Sequence, residues 1–485
     1  GVIVNTTALE VPPPGVGLTT VICAVPVLAT SEAGTCTVNC APLTKRAVRF
    51  APFQRTTDAG MKPVPLSVSV NSALPATIEF GTSAAIVGAG LLTLIVNALD
   101  WPPPGADALA IGAAMFERIG REIDAAGGFL DFARYMELVL YAPGIGYYSG
   151  GARKFGAGGD FVTAPEISPL FARCIAHSCA DVLRAAGGGD VLEVGAGSGI
   201  MAADMLRELH ALDVLPARYY ILERSADLRE RQRATLQRAA SRWLERVQWL
   251  DAPPSRTWDG VLIANELLDA WPVTLFGWRA GQVFEYGVGR CDGGLIGLER
   301  PAGADLCARV RAWADRYGWP EAYRSEMNRA LPAWLQGLTA NLRCGAALFI
   351  DYGYARNEYY CAERAQGTLL CHYRHRVHAE PLLLPGLQDI TAHVDFTAVA
   401  EAAQAADLTV AGYTTQAQFL LDTGIDRLLA AATPDMTHDY LRFAAQAKTL
   451  LLPGEMGERF KAILLTRALD ANVSGFRGRD LRNRL

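Results

Sequence analysis

Asp190-Val-Leu-Glu-Val-Gly-Ala-Gly-Ser-Gly-Ile200 is the stretch that decides the fold. Its first five residues are short and apolar enough for a strand buried on both faces. Three alternate glycines, Gly195, Gly197 and Gly199, then end that strand, and residues 200–212 read as a helix that starts at once. Strand, glycine turn and helix in this order open a parallel α/β unit. The glycines allow unusual dihedrals and let a ligand lie against bare main chain. The free N–H groups of the helix start favour an anionic group there.

Two ligand classes use such a turn. A dinucleotide wants G-x-G-x-x-G, whereas this spacing is G-x-G-x-G with Glu193 two places before the first glycine. That form is characteristic of S-adenosyl-L-methionine (SAM) sites and argues against a nicotinamide reductase. The text downstream fits a SAM site. Tyr219-Tyr-Ile-Leu-Glu223 reads as a second strand ending in a carboxylate suited to two ribose hydroxyls. Val247-Gln-Trp-Leu-Asp251 reads as a third, with Asp251 set to meet the adenine amino group. Trp258-Asp-Gly-Val-Leu-Ile-Ala264 is a fourth, running into Asn265-Glu-Leu-Leu-Asp269, and Ala346-Ala-Leu-Phe-Ile-Asp-Tyr-Gly353 is a fifth. Late segments at 408–413 and 460–465 supply a closing hairpin. Ligands bind outside the carboxyl ends of parallel strands, so these loops share one crevice. The predicted fold is α/β: a seven-stranded Rossmann-like sheet with a helical N-terminal lead, an inserted lid and an extra N-terminal segment of unknown fold.

The chain has 485 residues, 51% hydrophobic and 20% charged, with a net charge of -5. This excludes a disordered or fibrous protein, and no strong positive field exists to grip nucleic acid. Ten cysteines without a CxxC pair give neither a disulfide scaffold nor a zinc ribbon. The His372-Tyr-Arg-His-Arg-Val-His378 run lacks an acidic ligand set, so no metal is expected. The arginines of residues 224–246 read as a solvated helix face.

Residues 1–100 hold five basic and five acidic residues; the other 385 hold 40 and 45. The first hundred are therefore a separate object. Residues 84–99 are the most apolar stretch but fall short of the roughly 20 that a bilayer span needs, so no stable membrane insertion is expected. Trp101-Pro-Pro-Pro-Gly105 is a stiff boundary, and a chain starting at Gly1 is expected to be processed or a fragment. The expected division is residues 1–105 as an extension of unknown fold, with disorder among the readings, then 106–272 as lead plus first half of the SAM domain. An inserted substrate lid follows at 273–342, then the second half at 343–470 and a tail at 471–485.

Residues from about 107 to 470 resemble the MidA family of bacterial and mitochondrial class I SAM-dependent methyltransferases. The resemblance is carried by Tyr135-Met-Glu137, Tyr141-Ala-Pro-Gly-Ile-Gly-Tyr-Tyr148, Gly159-Asp-Phe-Val-Thr-Ala-Pro-Glu-Ile-Ser168 and Glu193-Val-Gly-Ala-Gly-Ser-Gly199. It continues in Ala264-Asn-Glu-Leu-Leu-Asp-Ala-Trp-Pro-Val273, Asp351-Tyr-Gly353, Asp389-Ile-Thr-Ala-His-Val-Asp-Phe396 and Met456-Gly-Glu-Arg-Phe460. It implies SAM as methyl donor and, from the mitochondrial members, an arginine of a respiratory complex I subunit as acceptor. Residues 1–105 are foreign to it. The Ala- and Arg-rich text suggests a bacterial member, expected in the cytoplasm; a homodimer is allowed.

Methyl transfer from a sulfonium is an in-line displacement that needs an aligned nucleophile and a water-excluding crevice. Carboxylates should hold a guanidinium acceptor, because a planar fork pairs with two oxygens. The candidate catalytic residues are Glu266, Asp269, Asp351, His393 and Asp395. The candidate cofactor residues are Asp160, Phe161, Glu193, Gly195, Gly197, Gly199, Glu223, Asp251 and Asn265. Each carboxylate also has a structural reading: Glu266 or Asp269 as a helix cap, Asp351 as a turn organiser, His393 with Asp395 as a bonded pair. A small-molecule methyltransferase and a SAM-binding assembly factor without catalysis are the competing functions.

Overall fold

The computed structural model describes residues 106–150, 162–291, 294–432 and 438–485, and nine strands within residues 2–94. It divides the chain into two units, Gly1–Pro104 and Gly105–Leu485. In the first unit one sheet runs in the order Gln54–Asp58, Leu18–Pro26, Val2–Thr7, Thr77–Glu79. A second runs Lys45–Ala47, Thr35–Cys40, Leu66–Asn71, Leu92–Leu94, Ala85–Val87. Most of the apolar stretch 84–99 lies outside the described residues. No described helix is long and apolar enough to cross a membrane.

The larger unit is built on seven strands: β1 (Asp190–Val194), β2 (Tyr219–Leu222), β3 (Val247–Leu250), β4 (Trp258–Asn265), β5 (Leu342–Tyr354), β6 (Thr409–Thr415) and β7 (Phe460–Arg467). Their order across the sheet is β3-β2-β1-β4-β5-β7-β6. The first five are parallel; β7 runs antiparallel between β5 and β6, as the expected closing hairpin requires. A two-residue strand, Val394–Asp395, also pairs with the end of β5, so the sheet has eight members where the sequence suggested seven.

Alternation along the strands sorts the core into two layers. Val191, Tyr219, Ile221, Ile263, Leu348 and Leu464 face the helices Pro169–Ala185 and Ile200–Ala211. Leu192, Tyr220, Leu262, Phe349 and Leu465 face Leu331–Thr339 and Phe396–Ala405. Both faces are therefore buried, which is why the strands read as near-continuous apolar runs. Register fixes the site: Val194 lies beside Leu222 and Ala264, Leu222 beside Leu250, and Ala264 beside Phe349. The strand ends are thus level, and chain order reverses between β1 and β4, where an open α/β sheet leaves a crevice.

The insertion is more than a flap over this crevice. Thr274–Arg279, Gln282–Cys291, Gly294–Pro301 and Ala322–Met327 form an antiparallel sheet that also recruits Leu130–Asp131 from the N-terminal lead. Leu275 and Val288 pack on Met115, Ile119 and Tyr135 of the lead. Phe276 points the other way, into Val310, Trp319 and Tyr360. The histidine-containing run forms no loose loop: Leu370–Tyr373 and Arg376–His378 pair as a hairpin around Arg374 and His375, both at positive φ.

Candidate active site

A cleft of about 2100 Å³ opens at the level strand ends. Its first wall is the glycine turn. Gly195, Gly197 and Gly199 have φ of 72°, 53° and 82°, the left-handed region that a side chain disfavours. Gln232, fully buried on the helix Ala226–Ala239, donates from Nε2 to the Gly197 carbonyl at 3.1 Å and to Glu223 Oε2 at 3.1 Å. Trp249 Nε1 donates to Gln232 Oε1 and fixes that amide. Ser225 N donates to Glu223 Oε1 at 2.9 Å. Turn and carboxylate are thus one tied assembly. Glu223 lines the cleft, and burial raises its pKa against the bonds from Ser225 and Gln232.

Glu193 lies beneath the turn. Tyr219 donates to its Oε2 at 2.7 Å, while Oε1 is buried with no hydrogen-bond partner among the described residues. Burial pushes its carboxyl up to about 7. Asn265 Oδ1 is likewise buried and unpartnered at the cleft. Asp251 sits on the rim just past β3, with an 89% exposed side chain paired with Arg229 at 2.6 Å. Asp160 and Phe161 lie outside the described residues. The residues present fit SAM: three left-handed glycines leave a bare cradle, and two buried polar atoms have no partner among the described residues.

The second wall follows β4. Glu266, at φ 49°, accepts at Oε1 from Ala164 N at 2.9 Å and Asn265 Nδ2 at 3.1 Å. Burial, with Asp269 repelling, pushes it up to about 7. Asp269 is 7% exposed, lines the cleft and has an unpartnered Oδ1; burial raises it too. Neither acid has an ion-pair partner among the described residues.

Two sequence candidates turn out to organise chain. Asp351 Oδ2 accepts from Leu267, Leu268 and Asp269 N at 2.8–3.3 Å, so its carboxylate shapes the loop that carries Glu266 and Asp269 and does not line the cleft. Burial, with repulsion from Asp269 and Glu266, holds its pKa well above the usual range. Asp395 accepts from Ala398 N as a helix cap and from Arg356 Nε at 2.9 Å, which draws it off the main cleft. His393 does line the cleft, against the edges of Tyr352 and Tyr354 rather than bonded to Asp395. Burial and nearby Arg364, Lys461 and Arg459 depress it to about 4, so it is neutral at pH 7.

The sequence reading missed Gln232 and a set of cleft residues opposite β4: Tyr141, Tyr148 and Asp389. Tyr148 donates to both Asp389 oxygens at 3.0 Å, and Tyr141 donates to the Ala270 carbonyl at 2.7 Å. The long Gly- and Tyr-rich loop at 141–149 was the available signal. Among the described residues no group of three His, Cys, Asp or Glu could hold a metal ion.

A sequence profile described as S-adenosyl-L-methionine-dependent methyltransferase matches residues 174–414. A COG1565 superfamily member from Burkholderia thailandensis, solved bound to S-adenosyl-homocysteine, is 46% identical with a TM-score of 0.76, over 79% of this chain and 100% of that one. A native structure from the same organism is 45% identical with a TM-score of 0.74 and the same coverage. The mitochondrial protein arginine methyltransferase NDUFAF7 of Danio rerio is 27% identical over 413 residues, 74% of this chain and 89% of that protein. Its Caenorhabditis elegans homolog is 26% identical over 69% of this chain and 82% of that protein. These curated relatives are mitochondrial proteins of animals, which overturns the expectation of a bacterial cytoplasmic location. With the full length of a solved relative matched at 46% identity, the chain belongs to the MidA family of S-adenosyl-L-methionine-dependent methyltransferases.

Proposed function

We propose that this methyltransferase acts on an arginine guanidinium of a protein partner, with a respiratory complex I subunit as the partner class that the family resemblance favours. One observation carries the reading: Asp269 is buried and Glu266 half-buried on the cleft wall, and among the described residues no cation meets either. Burying carboxylates in this way is costly unless a positive group joins them. The curated relatives named protein arginine methyltransferases support the same acceptor.

Bound SAM supplies an electrophilic methyl on its sulfonium. Gly195–Gly199 would give it bare main chain, Glu223 would hold the ribose hydroxyls, and Glu193 and Asn265 would complete the polar contacts. Asp269 orients the guanidinium. That methyl would go to a guanidinium nitrogen, with the C–S electron pair leaving on sulfur. The nitrogen must also shed a proton. Glu266, pushed up to about 7, is matched to accept it near neutral pH. Asp351 acts at one remove by holding the loop.

Incubation of the full chain with labelled SAM and mitochondrial lysate, followed by mass spectrometry, tests the reading. Label on a protein arginine is expected. Label confined to small molecules favours the alternative acceptor class, and no label anywhere favours an assembly factor without catalysis.

A further inference from the structure

One part of the cleft has a chemistry of its own. Three separate segments meet there: the loop after the helix Phe132–Tyr141, the loop after β4, and the strand Asp389–Thr391. The rings of Tyr141 and Tyr148 stack at 5.5 Å and 17°. Tyr141 is 37% exposed although its hydroxyl is tied down to Ala270, so ring surface is left open at the cleft. Asp389 is 2% exposed, and Tyr148 locks both of its oxygens in place. Asp269, more than nine-tenths buried, keeps Oδ1 without a partner. Its own carbonyl accepts from Ala392 N at 2.9 Å, which ties the loop after β4 to the end of the Asp389 strand.

We propose that Tyr141, Tyr148, Asp269 and Asp389 form the acceptor subsite, in which a planar cation lies on the tyrosine rings with its N–H groups directed at the two carboxylates. The assignment rests on the arginine reading above and names the residues that recognise the side chain. A guanidinium is the cation such a site fits best, because it stacks on aromatic faces and presents several N–H donors in one plane. A compact ammonium would use the charge but forgo the stacking. Burial keeps both tyrosine hydroxyls protonated, so they remain donors to Asp389 and Ala270 and do not compete for the cation as anions.

The test uses the full chain saturated with S-adenosyl-homocysteine and two probes of equal shape: N-acetyl-L-arginine amide and N-acetyl-L-citrulline amide. Saturation-transfer NMR reads their binding. The arginine probe should bind at least tenfold more tightly than the neutral one, and Asp389→Asn should remove most of that preference. S-adenosyl-homocysteine affinity should stay within twofold. If Asp389→Asn fails to fold, Tyr141→Leu probes the same ring surface and should weaken the arginine probe about tenfold. Equal binding of the two probes, or an arginine preference untouched in the folded variant, overturns the subsite. Failure of the wild-type chain to bind S-adenosyl-homocysteine would instead strike the methyltransferase reading itself.

Discussion

The two walls of the cleft are made by different means. The nucleotide wall comes from one continuous run, strand, glycine turn and helix, with Gln232 and Glu223 tied to it by hydrogen bonds already in place. The proposed acceptor wall is gathered from residues as far apart as Tyr148 and Asp389, 241 positions, and its acids Glu266 and Asp269 lack ion-pair partners among the described residues. One wall is a preformed cradle for a ligand shared by many reactions. The other, on our reading, holds carboxyl groups that a cationic acceptor would meet. Conformation should dominate the response of the first wall to substitution, and charge that of the second.

Glu266→Gln addresses the charged wall and has the largest expected effect. If Glu266 takes the acceptor proton, kcat falls by about 10²–10⁴ while S-adenosyl-homocysteine affinity is retained. In the wild type, kcat/KM should rise with pH through about 7 as the carboxyl of the free enzyme ionises, and steady-state assays of Glu266→Gln should lose that rise. An unchanged profile would place the proton elsewhere.

Gly197→Val addresses the cradle. Its φ of 53° is one a β-branched residue resists, and the added methyls fill the approach to the main chain. Calorimetry should show S-adenosyl-homocysteine affinity falling by about a hundredfold or more. Normal affinity would mean that the ligand does not rest on this turn.

Asp351→Ala would test the link between the walls. It strips the acceptor from three loop N–H groups and should lower unfolding free energy by about 2–4 kcal/mol in denaturant titration. Gln232→Leu is expected to be milder, weakening S-adenosyl-homocysteine about tenfold, since it loosens Glu223 without removing it.

Stability should also depend on pH. Glu193 and Glu266 hold their protons to about 7 in the fold, higher than in an unfolded chain. The folded state therefore binds more protons than the unfolded one between about pH 4.5 and 7, and stability should fall as pH rises through that window. Melting curves from pH 5 to 8 should show the decline, shallower in Glu266→Gln.

The same contrast explains what could be read in advance. The apolar runs at 190–194, 219–222 and 258–265 identify their own strands, because a strand covered on both faces needs little context. Glu193 and Glu223 were found because strand ends point to a shared crevice. Asp351 and Asp395 obey that rule too, yet the first turns to three N–H groups and the second to Arg356, 39 residues away. Side-chain direction at a strand end depends on partners that the local text does not contain. Asp389 was hidden for the same reason: it is ordinary where it stands, and only the fold brings it to Tyr148, 241 positions away. The eighth strand, two residues long, carries no period to read.

A crystal structure of this chain with S-adenosyl-homocysteine bears on everything above. It should show the adenosyl group along Gly195–Gly199 with both ribose hydroxyls on Glu223, and the sulfur facing Glu266 and Asp269. The ligand bound elsewhere, or a sulfur turned from those two acids, would refute the arrangement.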